Sequence, residues 1–112
     1  MTKLKQYKKI LTEVFTYQST LHFSNAPEVE QQLIINKDET QFLVMVIGWI
    51  EEEYKHFTLL HAQLKDDKVW LHQNNTDEDI GAVLEKKGIP KLEIVIGFLT
   101  PFERALSDYA VV

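Results

Sequence analysis

Residues 2–18 place Leu4, Tyr7, Leu11, Val14 and Phe15 at three- and four-residue spacing, with Ile10 widening the stripe. That period predicts an amphipathic helix with its lysines on the other side. Lysine at a helix start opposes the macrodipole, so the first turn is expected to fray. Residues 19–28, with Asn25 and Pro27, read as a loop. The period then shortens to two. Val29, Leu33 and Ile35 alternate with Glu30, Gln32 and Ile34, which predicts a strand with one mostly buried face, although Gln31 interrupts it. After a turn at Asn36, Lys37, Asp38 and Glu39, residues 42–47 are apolar at every position. A strand of that kind is covered on both faces. The first helix can cover one face, and the other needs a second helix, the tail or another chain.

Glu51, Glu52 and Glu53 resist burial and mark the next turn. Residues 54–64 and 68–73 read as a hairpin around Asp66 and Asp67. A two-residue turn pairs Leu64 with Val69, Gln63 with Trp70, Ala62 with Leu71, and His61 with His72. Leu64, Ala62, Val69 and Leu71 then share the core face, and His61, Gln63, Trp70 and His72 share the other. Thr76 is the expected N-cap of a helix whose first turn holds Asp77, Glu78 and Asp79. Its apolar stripe is Ile80, Val83 and Leu84; Gly88 stops it and Pro90 follows. Residues 92–98 are expected to form a last strand, parallel to a neighbour because a helix precedes it. Residues 101–109 form a short helix or an irregular tail. The order predicts an α+β fold: an N-terminal helix, a mainly antiparallel four- to five-stranded sheet, and a second helix before the last strand. Residues 1–112 read as a single domain.

Charge and composition narrow the chemistry. The net charge is −5, with eleven lysines and a single arginine, Arg104. Phosphate contacts need clustered cations, and the only dense cluster is Lys3, Lys5, Lys8 and Lys9, so weak or no direct nucleic-acid binding is expected. The absence of cysteine excludes disulfides and thiol chemistry and is compatible with a reducing cytoplasm. The start of the chain has no apolar run of signal-peptide type, and no stretch is long enough to span a membrane.

Candidate catalytic residues are sparse. His61 and His72 could share a metal across the hairpin, but zinc asks for three or four ligands, and His56 is expected on the opposite face. His22 lies in a distant loop. Ser19, Ser24 and Ser107 sit in no glycine-rich elbow, and the carboxylate runs are explained as turns or a helix start. The four glycines are scattered, so no phosphate loop is present. Neither a catalytic residue, a metal nor a cofactor is implied. Trp49 reads as core. Trp70 reads as core or as an interface anchor, since aromatic residues are favoured at protein interfaces.

The order of several short motifs resembles the XisI family, the fdxN element excision controlling factors of cyanobacteria. Tyr7, Lys8, Lys9, Ile10 and Leu11 look like that family's opening helix. Gln41, Phe42 and Leu43, followed by Gly48 and Trp49, are similar to its central strand. Lys68, Val69 and Trp70 resemble its next strand, and Thr76, Asp77 and Glu78 its helix entry. Gly88, Ile89, Pro90 and Lys91 resemble its glycine-proline break, and residues 94–98 its last strand. Pro101, Arg104, Tyr109, Ala110 and Val111 fall where its tail has Pro, Arg and Phe-Ala-Val. Thr100, Ser107 and Val112 depart from the pattern.

The resemblance implies a non-enzymatic accessory factor in excision of a DNA element. Such a factor acts beside a recombinase and binds a partner of the XisH type. Direct DNA binding is the alternative, and a small hydrolase or nuclease the least favoured class. Trp70, His61, His72, Arg104 and Tyr109 are the candidate partner-binding residues. The second sheet face is expected to expose an apolar patch that a XisH-like protein or a second copy buries, giving a hetero-complex or a homo-oligomer.

Overall fold

The computed structural model describes residues 2–21 and 28–111. The expected loop around Asn25 and Pro27, with His22 and Ser24, lies outside these residues. Helix α1, Lys3–Thr20, takes in Ser19, which the loop was expected to contain. Its first turn is closed rather than frayed, because Thr2 Oγ1 accepts from the Lys5 N–H at 3.2 Å. Tyr7, Ile10, Leu11, Val14 and Phe15 are buried, whereas Leu4, expected in the stripe, is exposed. Lys3 is paired with Glu93 at 2.8 Å, and the Tyr7 hydroxyl donates to the same carboxylate.

The strands are β1 (Glu30–Ile35), β2 (Gln41–Ile50), β3 (Glu53–Lys65), β4 (Lys68–Asn74) and β5 (Ile94–Ile96). They lie in the sheet in chain order; the first three pairings are antiparallel and β5 is parallel to β4. One face packs on α1 and α2. Phe42, Val44 and Val46 of β2, with Leu60, Ala62, Val69 and Leu71, are buried there, and the Phe42 ring meets Phe15 at 5.9 Å between centroids. At Gly48, φ is +141°, and a Cβ would stand 2.9 Å from the Glu28 carbonyl oxygen. Glycine lets the incoming backbone of β1 pass this close.

Two bulges reset the register. Val44 pairs with Leu60 but Met45 pairs with Thr58, so Leu59 is the extra residue on β3. Each such residue exchanges the faces of what lies beyond it. His56, expected opposite His61, therefore points to the same face. On β4 the expected pairs hold from Leu64–Val69 to Ala62–Leu71, after which His61 faces Gln73. His72 is the extra residue, so the expected His61–His72 register pair does not form. A turn fixes register only as far as the first bulge.

Helix α2 is Ile80–Lys87, with Asp79 rather than Thr76 as its N-cap; Asp79 Oδ1 accepts from the Ala82 N–H at 3.1 Å. Asn74, at the end of β4, explains the shift. Its side-chain oxygen accepts from both the N–H (3.0 Å) and the hydroxyl (2.6 Å) of Thr76 and holds residues 76–78 in a turn. Ile80 and Leu84 are fully buried, and Gly88 closes the helix at φ +122°. The last strand is shorter than expected, because residues 91–93 form a 3-10 turn and residues 97 and 98 turn away. Helix α3, Pro101–Ala105, opens with a reciprocal cap between Thr100 and Glu103. The tail returns beside β5, where the Ala110 N–H donates to the Ile94 carbonyl at 2.9 Å.

Candidate interaction site on the open sheet face

Both helices that cover the sheet lie on one side of it. On the other side β2 presents Gln41, Leu43, Met45, Ile47 and Trp49. Their partners on β3 are Gln63, His61, Thr58, His56 and Tyr54. Trp49 is 55% exposed, which corrects its assignment to the core. Strand parity puts it with Met45 and Ile47, on the face that α1 and α2 leave open. It leans on Tyr54, with ring centroids 5.2 Å apart.

The β4 end of this face gathers four of the five residues singled out from sequence. Trp70 is half-buried and has two cations over its ring, with Lys65 Nζ 5.1 Å and Arg104 Cζ 5.4 Å from it. Arg104 is anchored by Nε to the Ile96 carbonyl (3.3 Å) and by Nη2 to the Gly97 carbonyl (3.1 Å), which holds α3 against the sheet. The rings of His61 and His72 lie 4.9 Å apart despite the bulge. His61 Nε2–H donates to Gln41 Oε1 at 2.7 Å, and His72 Nε2–H to Gln63 Oε1 at 2.8 Å. Both imidazoles titrate below their ordinary range. Desolvation is the main cause for each; His72 adds to it for His61, and Lys65 for His72. Near neutral pH the pair is uncharged.

Tyr109 stands apart. It packs on α2, where a Cβ at Gly81 would meet its hydroxyl at 2.8 Å, and Lys91 Nζ lies 5.7 Å from its ring. Sequence reasoning missed Phe98, Phe102 and Leu106, all exposed; Phe102 and Leu106 are 74% and 75% exposed. The available signal was their apolar character, four residues apart, in a segment too short to bury both. Phe98 lines a shallow cleft with His72, Gln73, Asn74 and Asn75. Among the described residues no three His, Asp or Glu side chains are grouped to hold a metal ion. Nor is any helix among them long and apolar enough to cross a membrane.

A mixed five-stranded sheet covered by α1 and α2 on one face, with the short α3 at the β4–β5 end of the other, defines an α+β protein. The XisI protein family matches over residues 1–111, and the chain belongs to that family. The crystal structure of a XisI-like protein from Anabaena variabilis is similar at a TM-score of 0.88 and 30% identity, covering 99% of this chain and 100% of that one. The crystal structure of the fdxN element excision controlling factor XisI from the same organism is similar at a TM-score of 0.84 and 27% identity, again over 99% and 100%. No curated protein matches the chain.

Proposed function

We propose that this protein is an accessory factor that controls excision of a DNA element, working in the cytoplasm by binding a XisH-like protein rather than by catalysis. The whole chain, residues 1–112, acts as one domain. The observation that carries the reading is the β4–α3 end of the open face. Trp70 has both the Lys65 ammonium and the Arg104 guanidinium over its ring, and Phe98, Phe102 and Leu106 stand exposed around α3. Aromatic and arginine anchors with an apolar rim suit a protein interface, and the recombinase is reached through the partner. The test is titration of the purified protein with the XisH-type protein of the same genome. A complex at micromolar concentration or tighter is expected, and Phe102→Asp, at an exposed site, should weaken it at least 10-fold, about 1.4 kcal/mol. No complex, or equal binding by the variant, contradicts the reading. So does turnover by the pure protein that is lost when His61 or His72 is changed.

Direct DNA contact is a second reading, favoured by one observation. Lys9 of α1 and Lys87 of α2 line one cleft with Gln6, Ile10 and Glu13, which joins two lysine groups far apart in sequence. Glu13 in the same cleft and the net charge of −5 oppose it. Binding that vanishes by about 0.15 M salt is the expected result. Sequence-specific nanomolar binding at that salt would favour the second reading over the first.

A further inference from the structure

From the β2–β3 part of the open face, away from the β4–α3 end, we infer that the chain pairs with a second copy of itself, sheet against sheet. The first argument is composition. The outward positions of β2 and β3 between Gln41 and Gln63 contain no Asp, Glu, Lys or Arg, in a chain of which 26% is charged. Sheet faces that meet water normally carry charge, and a contiguous uncharged apolar patch marks an interaction surface. Its centre is apolar: Leu43, Met45, Ile47 and Trp49 run along β2, flanked by Tyr54 on β3 and by Ile34, Gln32 and Glu30 of β1, all three exposed.

The second argument is electrostatic and selects the occupant. Two copies, each of net charge −5, repel each other except where they meet through a patch without charge. The β2 and β3 positions of this patch offer no Asp, Glu, Lys or Arg as counter-charge to a polyanion or to a basic surface; β1 adds one charge at the margin, the exposed Glu30 carboxylate opposite Ile47. A two-fold axis through β2 sets the stripe of one copy on the stripe of the other. Such a contact is closed and self-complementary. The third argument is size. Eight residues of strand by the three adjacent strands β1–β3 is roughly 25 Å by 14 Å, or about 350 Å² in plan, more once side-chain relief is counted. That is below the ~800 Å² per partner of a standard interface and suits a dimer of micromolar rather than tighter affinity. The assembly is a four-layer helix–sheet–sheet–helix sandwich with the sheets about 10 Å apart and their strands within ~30° of each other. The α3 end stays at the rim, free for another protein.

Light scattering on the eluted protein tests this. At about 50 μM the wild-type chain should have twice the mass of one copy, since dimers with Kd in the micromolar range or below are then mostly formed. Ile47→Glu puts a carboxylate from each copy into the contact and should raise the dissociation constant at least 100-fold, giving the single-chain mass. Trp49→Glu, at a site already half in water, should do the same if Ile47→Glu does not fold. Phe102→Asp should keep the double mass, and Trp49→Glu should still bind the XisH-type protein. Loss of XisH-type binding in Phe102→Asp alone leaves the self-pairing standing. A wild-type chain of single mass at that concentration, or a double mass that survives both glutamate substitutions, overturns it.

Discussion

Strand β2 presents two apolar rows. On one face Phe42, Val44 and Val46 are fully buried, with Phe42 against Phe15 of α1; on the other, Leu43, Met45 and Ile47 are only half-buried, by their neighbours in the sheet. The hydrophobicity of the rows is alike, and so is their spacing. What differs is what lies above them. The first row gains its stabilisation during folding, because the helices complete it. The second has no cover among the described residues of its own chain, and on the self-pairing proposed above a second copy supplies it. A run of uninterrupted apolar residues therefore requires two covers without specifying that both come from one chain.

The comparison breaks most visibly at matched truncations. Phe42→Ala should lower stability by about 3–5 kcal/mol through lost contacts and a cavity. Met45→Ala, measured at high dilution, should cost under ~1 kcal/mol. Equal losses in urea titrations would mean that the outer row is core. Gly48→Ala should cost about 1–3 kcal/mol, because the added Cβ stands 2.9 Å from Glu28 O on a backbone at φ +141°. Calorimetry that finds no loss there would sink the account of how β1 enters the sheet. Asp79→Ala should remove about 1 kcal/mol by uncapping α2. Thr76→Ala should remove less, and the reverse ranking would restore Thr76 as the cap.

The smallest effect expected is pH-dependent and belongs to the outer face. His61 and His72 have folded pKa values below the ordinary 6.5, mainly through desolvation. The unfolded chain then binds more protons, so stability present above about 6.5 falls as pH drops toward the lowered folded values. The thermal midpoint should decline between pH 7.5 and 5, and the decline should be shallower in a His61→Gln, His72→Gln double variant. An unchanged slope in that variant would place the acid sensitivity elsewhere.

The sequence was legible wherever local chemistry decides the structure. The α1 stripe, the Asp66–Asp67 hairpin, the Gly88 stop and a parallel last strand all follow from residues close to one another in the chain. Three features were not legible, each for a reason at longer range. The bulges at Leu59 and His72 depend on strand pairing, which periodicity does not encode; the first puts His56 on the face of His61, and the second breaks the His61–His72 register pair. The start of α2 depended on Asn74 capturing Thr76. Trp49 was assigned to the core because large aromatic residues usually are, yet its side is decided by which face the helices take. Of the candidate site, Trp70, His61, His72 and Arg104 come together. Tyr109 does not, because the tail turns back to α2 before reaching it.

The division of labour between the two faces has one direct measurement: the thermal midpoint as a function of protein concentration. A chain whose outer face is closed by a second copy unfolds with dissociation, so dilution lowers its midpoint by mass action. For a dimer of this size a 100-fold dilution should lower it by roughly 5 °C, and Trp49→Glu should show no dependence. A wild-type midpoint that stays constant over that range would contradict the claim that the outer face is completed by association.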